Sequence, residues 1–465
     1  MLTDELSPYV RRSDAADAVH ALAKTLRQLG HDVTIAAPRH PEFEEAGLLV
    51  ARRLTPLALP AGEVTLLDGQ TASGVKLVLF DAPLLRDRDP GRLGARAAAL
   101  GIAAAGLVRQ RAELGHAPEV LHLHGAAVAL APLALRTLGL ATPTVLTLHE
   151  LPAETRVGVA ELAESGVSLD DEVSEALVRD GRLDVLEAGA RFATLLTAVS
   201  PTAAAELGML ELGGRVAAAV AARGDAPAGI VNGLDYASWN PATDPALASR
   251  FDAENTAKKG VCKSAVVREV GLPLEIDRPL VVFVGALTRQ GGADLVAEAL
   301  PDLLERHLHL LVAGAGAVDD DLARRFAEAA AARPDALAFV RGADEPLRHR
   351  AIAGADIALA PARHAPCGLW QLVAQRYGAL PVVLAQGGHI DSVVDCDAEL
   401  ETGTGFAFVD ATPSALVGAV ARALAAVEGP GRERLRRRVM RLDLGWDRPA
   451  RRYLQLYRQA APRPA

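Results

Sequence analysis

A chain of 465 residues is too long for one ordinary core, and two domains of roughly 200 residues each are expected. Half of the residues are apolar but only 4% are aromatic, a balance that suits helices packed closely on sheets and argues against an aromatic-lined groove for single-stranded nucleic acid. The formal net charge of -9 argues against any polyanion as the main partner, so no nucleic acid is expected.

The opening Met-Leu-Thr-Asp-Glu-Leu has no basic region followed by an apolar run, so it does not read as a signal peptide. An amphipathic stretch, Ala16–Leu29, ends at Gly30-His31 and predicts the first helix. Short apolar runs then recur at Asp32–Pro38, Val75–Pro83, Val120–Gly125, Pro143–Glu150 and Leu195–Pro201, each followed by a helical pattern. This is how strands of a parallel sheet buried on both faces read. A polar, turn-rich segment, Asn232–Asn255, separates this half from the next as a linker. A second series follows at Arg278–Leu287, Leu308–Gly316, Leu337–Gly342, Ala355–Ala362 and Leu380–Gly388. The fold class is therefore α/β, with two such halves in tandem and ligands expected beyond the carboxyl ends of their strands.

Within the second series, the glycines of Gly314–Asp321 mark a strand-to-helix turn, and Asp319, Asp320 and Asp321 are expected to cap the next helix. The Gln386–His389 turn reads either as a source of backbone amides for a ligand or as a tight turn alone. The basic run Arg432–Arg441 reads as a solvated helix face. Cys262, Cys367 and Cys396 show no paired metal-ligand spacing, and three sparse cysteines suit a reducing cytoplasm. No apolar stretch approaches the ~20 residues that span a bilayer, so a cytoplasmic protein without a membrane partner is expected.

Several long segments, in order, resemble the bacterial glycogen synthases and plant starch synthases. They are Ser7–His40, Thr197–Leu207, Gly229–Asp244, Val284–Leu304, Arg363–Asp395 and Leu444–Gln459. The resemblance covers nearly the whole chain. It implies a GT-B glycosyltransferase with two Rossmann-like domains facing a cleft. Residues 1–240 would form the acceptor-side domain and 241–440 the donor-side domain. Residues 441–465 would form a helix returning to the first. The implied reaction is retaining transfer of glucose from ADP-glucose to an α-1,4-glucan, with no metal and no cofactor.

In that family an arginine and a lysine neutralise the leaving diphosphate, and a glutamate before Pro-Cys-Gly binds the donor sugar. Here those three positions are Ala286, Gly291 and Ala365. The family's Lys-Thr-Gly-Gly loop reads Arg11-Arg12-Ser13-Asp14, which loses both glycines and sets Asp14 where an anion would lie. The His-Ala-His-Asp-Trp run reads His122-Leu123-His124-Gly125-Ala126.

By the same resemblance, His149 is the retained candidate at the catalytic centre. Arg11, Asp17, Asn232, Thr288, Gly368, Leu369 and Gln371 are the retained substrate-binding candidates. Gly233, Asp235 and Thr402–Phe406 also match. His122, His124 and Cys367 are expected to be structural. Arg11 and Arg289 are the cations near enough in sequence to replace lost charge.

Removing one preorganised charge-stabilising group commonly costs ~3–4 kcal/mol, or ~100–1000-fold in rate. Weak or absent activity is therefore expected. The alternatives are a non-catalytic glucan-binding or regulatory partner of an active synthase, and a transferase with a changed donor. The first family strand is represented by Met1-Leu2 alone, and its shortness is expected either to reflect a start placed too late or to weaken the first sheet.

Overall fold

The computed structural model describes residues 1–59, 62–86, 89–152 and 154–461. The chain forms two compact units: Met1–Gly233 with the segment from Trp446 onward, and Leu234–Gly445.

The first unit is built on strands β1 (Leu2–Thr3), β2 (Thr34–Pro38), β3 (Val50–Arg52), β4 (Leu57–Leu59), β5 (Gly62–Gln70), β6 (Lys76–Asp81), β7 (Leu121–His124) and β8 (Thr144–Leu148). A small antiparallel sheet follows, β9 (Arg156–Gly158), β10 (Val178–Arg179) and β11 (Arg182–Asp184), and then β12 (Leu195–Ala198) and β13 (Ala228–Gly229) return to the main sheet. The main order is β13-β12-β8-β7-β1-β2-β6-β5-β3, parallel from β13 to β6 and antiparallel at β5 and β3.

Each apolar run predicted as a strand is one. The antiparallel edge, β3 to β5, was not foreseen, because its half-exposed residues give no continuous apolar run. The helix Leu93–Glu113 is buried almost all round from Gly94 to Val108, which its Ala-Gly composition permits. At Gly101 a Cβ would press within 3.1–3.2 Å of the Leu130–Ala131 backbone, so the helices there meet backbone to backbone.

The helix Asp14–Gln28 starts where Ser13 Oγ accepts from the Ala15 amide at 3.2 Å. It ends at Gly30, at φ +90°, where His31 donates to the Leu26 carbonyl at 3.1 Å. Its buried Ala18, Ala21, Leu22 and Leu26 pack against Trp446, Tyr453 and Leu456, the last two on the helix Asp447–Ala460. The final residues 462–465 of the predicted returning segment lie outside the described residues.

The second unit holds a wholly parallel sheet of β14 (Leu280–Leu287), β15 (His309–Val318), β16 (Leu337–Val340), β17 (Ile357–Ala360), β18 (Leu380–Leu384) and β19 (Phe406–Phe408), in the order β16-β15-β14-β17-β18-β19. The turn-rich segment read as a linker packs into this unit. Asp235, Asn240, Asp244 and Asp252 each accept from an amide two residues on, which makes successive Asx turns. Trp239 stacks on His349 at 4.0 Å, and Asp244 accepts from the Tyr377 hydroxyl at 2.5 Å and bonds His349 Nδ1 at 2.6 Å. Asp319 caps the next helix as expected, accepting from the amides of Asp321 and Leu322.

The basic run forms the helix Arg432–Met440, and part of its charge is structural. Arg436 bonds Asp356 and Glu433, while Arg438 donates to the carbonyls of Leu400, Glu401 and Thr402.

The short β1 keeps its place between β2 and β7. The Ala36 amide donates to the Met1 carbonyl at 2.8 Å, and the Met1 amine donates to the Thr34 carbonyl at 2.7 Å. Burial, aided by Arg111, lowers the pKa of that amine to about 5. Below it opens a cavity of about 880 Å³ walled by Leu26, Val33, Leu107, Val108 and Leu454.

A four-residue apolar extension joined to Met1 (Met-Val-Ile-Val) should continue β1 into this space. Each side chain it buries contributes ~1.5–3 kcal/mol, so the unfolding midpoint should rise by several degrees. A Met-Gly-Asp-Pro extension of equal length should not raise it. Thermal denaturation of the two extended chains beside the parent is the check.

Candidate functional site

In the second unit, the loops after β14, β17 and β18 form one block at the carboxyl end of the sheet. The Arg363 amide donates to the Gln290 carbonyl at 2.9 Å. Its guanidinium donates to the Arg289 carbonyl at 2.8 Å and to Asp294 at 2.6 Å. The Gly388 amide donates to the Ala365 carbonyl at 2.8 Å. A Cβ on Gly387 or Gly388 would collide with the carbonyls of Ala365 and Cys367, so the Gln386–His389 turn needs glycine to come this close. The Gly388 amide is thereby committed to its own chain.

The three positions at which the resemblance implies charged residues sit in this block. Ala286 is half-buried beyond the middle of β14, and Ala365 is 8% exposed. The Gly291 amide donates to Thr288 Oγ1 at 3.0 Å, and a Cβ on Gly291 would lie 2.7 Å from the Ala286 carbonyl. The present loop shape therefore resists any side chain at Gly291.

The retained candidates Thr288, Gly368, Leu369 and Gln371 lie in the same loops. Thr288 and Gln371 spend polar groups on holding them. Gln371 is fully buried and donates to the Cys367 carbonyl at 2.9 Å and to Ser392 Oγ at 3.1 Å. Gly368 sits at φ +72°, where a Cβ would strike the Gln371 amide. Leu369 packs on the core beneath. Cys367 is buried.

Trp370, which the motif comparison passed over, sets its indole Nε1 3.7 Å from the place a Cβ on Gly285 would take, beside Ala286. Its size and its place directly after Gly-Leu were the available signals. The exposed Arg289 guanidinium has no partner among the described residues.

In the first unit, the start of the helix Asp14–Gln28 is already supplied with an anion. Glu5 Oε2 accepts from the amides of Arg12 and Ser13 at 2.8 and 2.9 Å, and Glu5 also takes the Ser13 hydroxyl. Arg12 pairs with Asp4 at 3.3 Å, and Arg11 pairs with Asp17 at 2.7 Å. The structure thus joins two substrate-binding candidates, Arg11 and Asp17, to each other. Asp14 is exposed on its outer side. The atoms packed around it and the neighbouring Asp17 nonetheless raise its pKa to about 6, so it is mostly ionised at pH 7. The Asn232 side-chain oxygen, Oδ1, is buried without a hydrogen-bond partner among the described residues.

His122, His124 and His149 gather at the carboxyl ends of β7 and β8. His122 Nδ1 meets the Tyr457 hydroxyl at 2.6 Å and its Nε2 meets Thr147 Oγ1 at 2.7 Å. His124 Nδ1 lies 3.1 Å from His149 Nε2. Burial lowers His149 to about 4 and holds His122 and His124 well below the ordinary value, so all three are neutral at pH 7. A neutral His149 can donate or accept a hydrogen bond but brings no charge to an anion. No group of side chains able to hold a metal ion occurs among the described residues, and none of their helices is long and apolar enough to cross a membrane.

The pKa of His149 fixes the sign of a pH dependence. The unfolded chain, titrating near 6.5, binds protons that the folded chain refuses until about pH 4. Its contribution to stability is complete above pH 6.5 and is lost as the pH falls toward 4. Thermal midpoints measured from pH 7.5 to 4 should fall less steeply for His149→Phe than for the parent. Parallel curves for the two would contradict the buried, neutral state.

The first half of the chain, residues 1–222, matches the starch synthase catalytic domain, and residues 278–426 match the glycosyl transferases group 1 model. The glycogen synthase of Aromatoleum aromaticum is 36% identical over 98% of this chain and 95% of its own length. That of Anaeromyxobacter sp. (strain Fw109-5) is 37% identical over 99% and 98%. Among solved structures, the catalytic domain of starch synthase IV from Arabidopsis thaliana, bound to ADP and acarbose, superposes with a TM-score of 0.88 at 25% identity, covering 99% of both chains. A sucrose-phosphate synthase from Thermosynechococcus elongatus shares the fold, with a TM-score of 0.59 at 17% identity over 96% and 92% of the two chains. With the tandem parallel sheets and their glycine-locked loops, these likenesses place the chain in the glycogen/starch synthase family of GT-B glycosyltransferases.

Proposed function

We propose that this family member transfers glucose from ADP-glucose to an α-1,4-glucan weakly or not at all. In this reading the first unit is the acceptor side and the second the donor side, with Thr288, Gly368, Leu369 and Gln371 around the donor. The observation that carries it is the absence of charge at Ala286, Gly291 and Ala365, within loops whose backbone contacts leave little freedom to recruit a substitute. In the resemblance that motivates the reading, two cations and a carboxylate at those positions act on the diphosphate and the sugar. The pairing of Arg11 with Asp17 and the filling of the Arg12 and Ser13 amides by Glu5 support it further. Arg289 is a cation of these loops without a partner among the described residues, and its exposed position on the loop surface favours solvent over a bound phosphate.

A second reading is a glucan-binding or regulatory partner of an active synthase. It is favoured by one contrast: Asp17, Asn232 and His149 persist in the first unit, while the charged positions of the second have gone. A changed donor is the third.

ADP-glucose affinity should be millimolar or weaker, roughly -4 kcal/mol or less favourable. Calorimetric titration with ADP-glucose, UDP-glucose and ADP measures it. A micromolar constant for ADP-glucose would sink the proposal, and one for UDP-glucose alone would favour a changed donor. Tight binding of maltoheptaose without any nucleotide binding would favour the partner reading.

Restoring Ala286→Arg, Gly291→Lys and Ala365→Glu together should raise glucose incorporation into glycogen, measured per protein per minute against the parent. Each single change should do little, because one cation leaves the rest of the diphosphate unpaired. Gly291→Lys must also move the Ala286 carbonyl, so some stability should be lost with it. A parent that already turns over at ~1–1000 per second, the ordinary range, would refute weak activity outright.

A further inference from the structure

His122 is closed on both ring nitrogens, and the chain continues from Thr147 Oγ1 to Thr197 Oγ1 at 2.6 Å. His124 is not closed. Its ring lies 3.9 Å from that of His122 and 5.4 Å from that of His149. Its Nδ1 faces His149 Nε2 at 3.1 Å, and its own Nε2 is buried with no partner among the described residues. His149 is half-buried, and its Nδ1 is bonded to nothing among the described residues.

A neutral imidazole carries one N–H and one lone pair, so of two facing nitrogens one donates and one accepts. Two arrangements satisfy the contact. If His149 Nε2–H donates, the proton of His124 must sit on Nε2, where a buried N–H would point at nothing. If His124 Nδ1–H donates, the orphaned Nε2 carries only a lone pair. Buried N–H groups left without an acceptor are rarer than under-used acceptors, which favours the second arrangement. His149 then accepts at Nε2 and must hold its proton on Nδ1.

We propose that His124 is a positioning residue that fixes His149 in the Nδ1–H tautomer, so that His149 presents a hydrogen-bond donor, not an acceptor, to an oxygen of a bound ligand. Such an oxygen belongs to a sugar hydroxyl or to a phosphate. This last step rests on the proposed sugar-nucleotide site; the tautomer itself does not. His122, held from both sides through Tyr457 and Thr147, supports the far face of the His124 ring and limits its rotation.

The test is long-range proton–nitrogen NMR on the full chain labelled with 15N-histidine, at pH 7.5, with the His149 signals assigned by their loss in His149→Gln. In the parent, Nδ1 of His149 should show the protonated shift and Nε2 the bare one. In His124→Phe, which removes the donor, the two shifts should exchange or average. In His124→Asn, whose side-chain amide restores a donor near the Nδ1 position, the parent pattern should return.

A parent His149 protonated on Nε2 overturns the proposal. So does a His124→Phe chain that keeps the Nδ1–H pattern. If His124→Phe fails to fold, the parent spectrum and His124→Asn still decide. All of these readings are made without substrate, so they stand or fall separately from glucosyl transfer. If His124→Phe moves the tautomer, the proposal stands whether or not ADP-glucose binds, because the proposed function itself expects that binding to be weak; a micromolar ADP-glucose constant beside an unmoved tautomer would overturn both.

Discussion

A parallel strand cannot be followed by a hairpin. The chain must return to the same edge before the next strand begins, and it returns through a helix that covers a face of the sheet. Both units follow this constraint, except that between β2 and β6 the chain returns through the antiparallel edge β3–β5. The loops after β14, β17 and β18 leave from one end of the second sheet, and those after β1, β7 and β8 leave from one end of the first. Residues distant in sequence thus meet without any local signal: Arg363 with Asp294, Gly388 with Ala365, His124 with His149.

The second unit does not depend for that gathering on charged side chains at the loop positions singled out by the resemblance. Its loops are held by backbone contact at glycine, by an arginine bound to a carbonyl and a carboxylate, and by a buried glutamine amide. None of these bonds needs Ala286, Gly291 or Ala365 to be charged. Side chains aimed at a ligand contribute little to folding, so their replacement by Ala or Gly leaves the scaffold as it was. Polar groups that hold the backbone, such as Gln371, would leave unmet partners in the interior if lost. This difference would account for the proposed pattern, in which Pro366-Cys367-Gly368-Leu369 matches the resemblance while Ala365 before it does not.

The first unit shows the complementary effect, in which the chain satisfies itself. Glu5 occupies the amides at the start of the helix Asp14–Gln28, and Arg11 lies on Asp17. An incoming anion would have to compete with carboxylates already in place, while Asp14 adds like charge beside them. The three histidines are neutral for a different reason: His122 and His124 are buried, His122 against Tyr453 and Tyr457 of the helix Asp447–Ala460, and the atoms packed around half-buried His149 desolvate its ring. Their contribution is directional hydrogen bonding, with no electrostatic attraction.

The sequence alone determined the two series of buried strands, because continuous runs of Val, Ile, Leu and Ala between turns have few other uses. It also pointed to the family, through long segments in order, and placed Ala286, Gly291 and Ala365 where the resemblance implies charged residues. It did not determine the antiparallel edge β3–β5, whose exposed residues leave no periodic trace. Nor did it show that Asn232–Asn255 is mostly a packed part of the second unit, since Asx turns read as polar linker until Trp239 is seen against His349. The tertiary structure decided what each retained residue touches. Gln371 turns inward, Arg11 is taken by Asp17, Trp370 stands over Gly285, and His124 faces His149. Such pairings depend on the distance between atoms brought together by separate strands, and spacing along the chain carries no record of it.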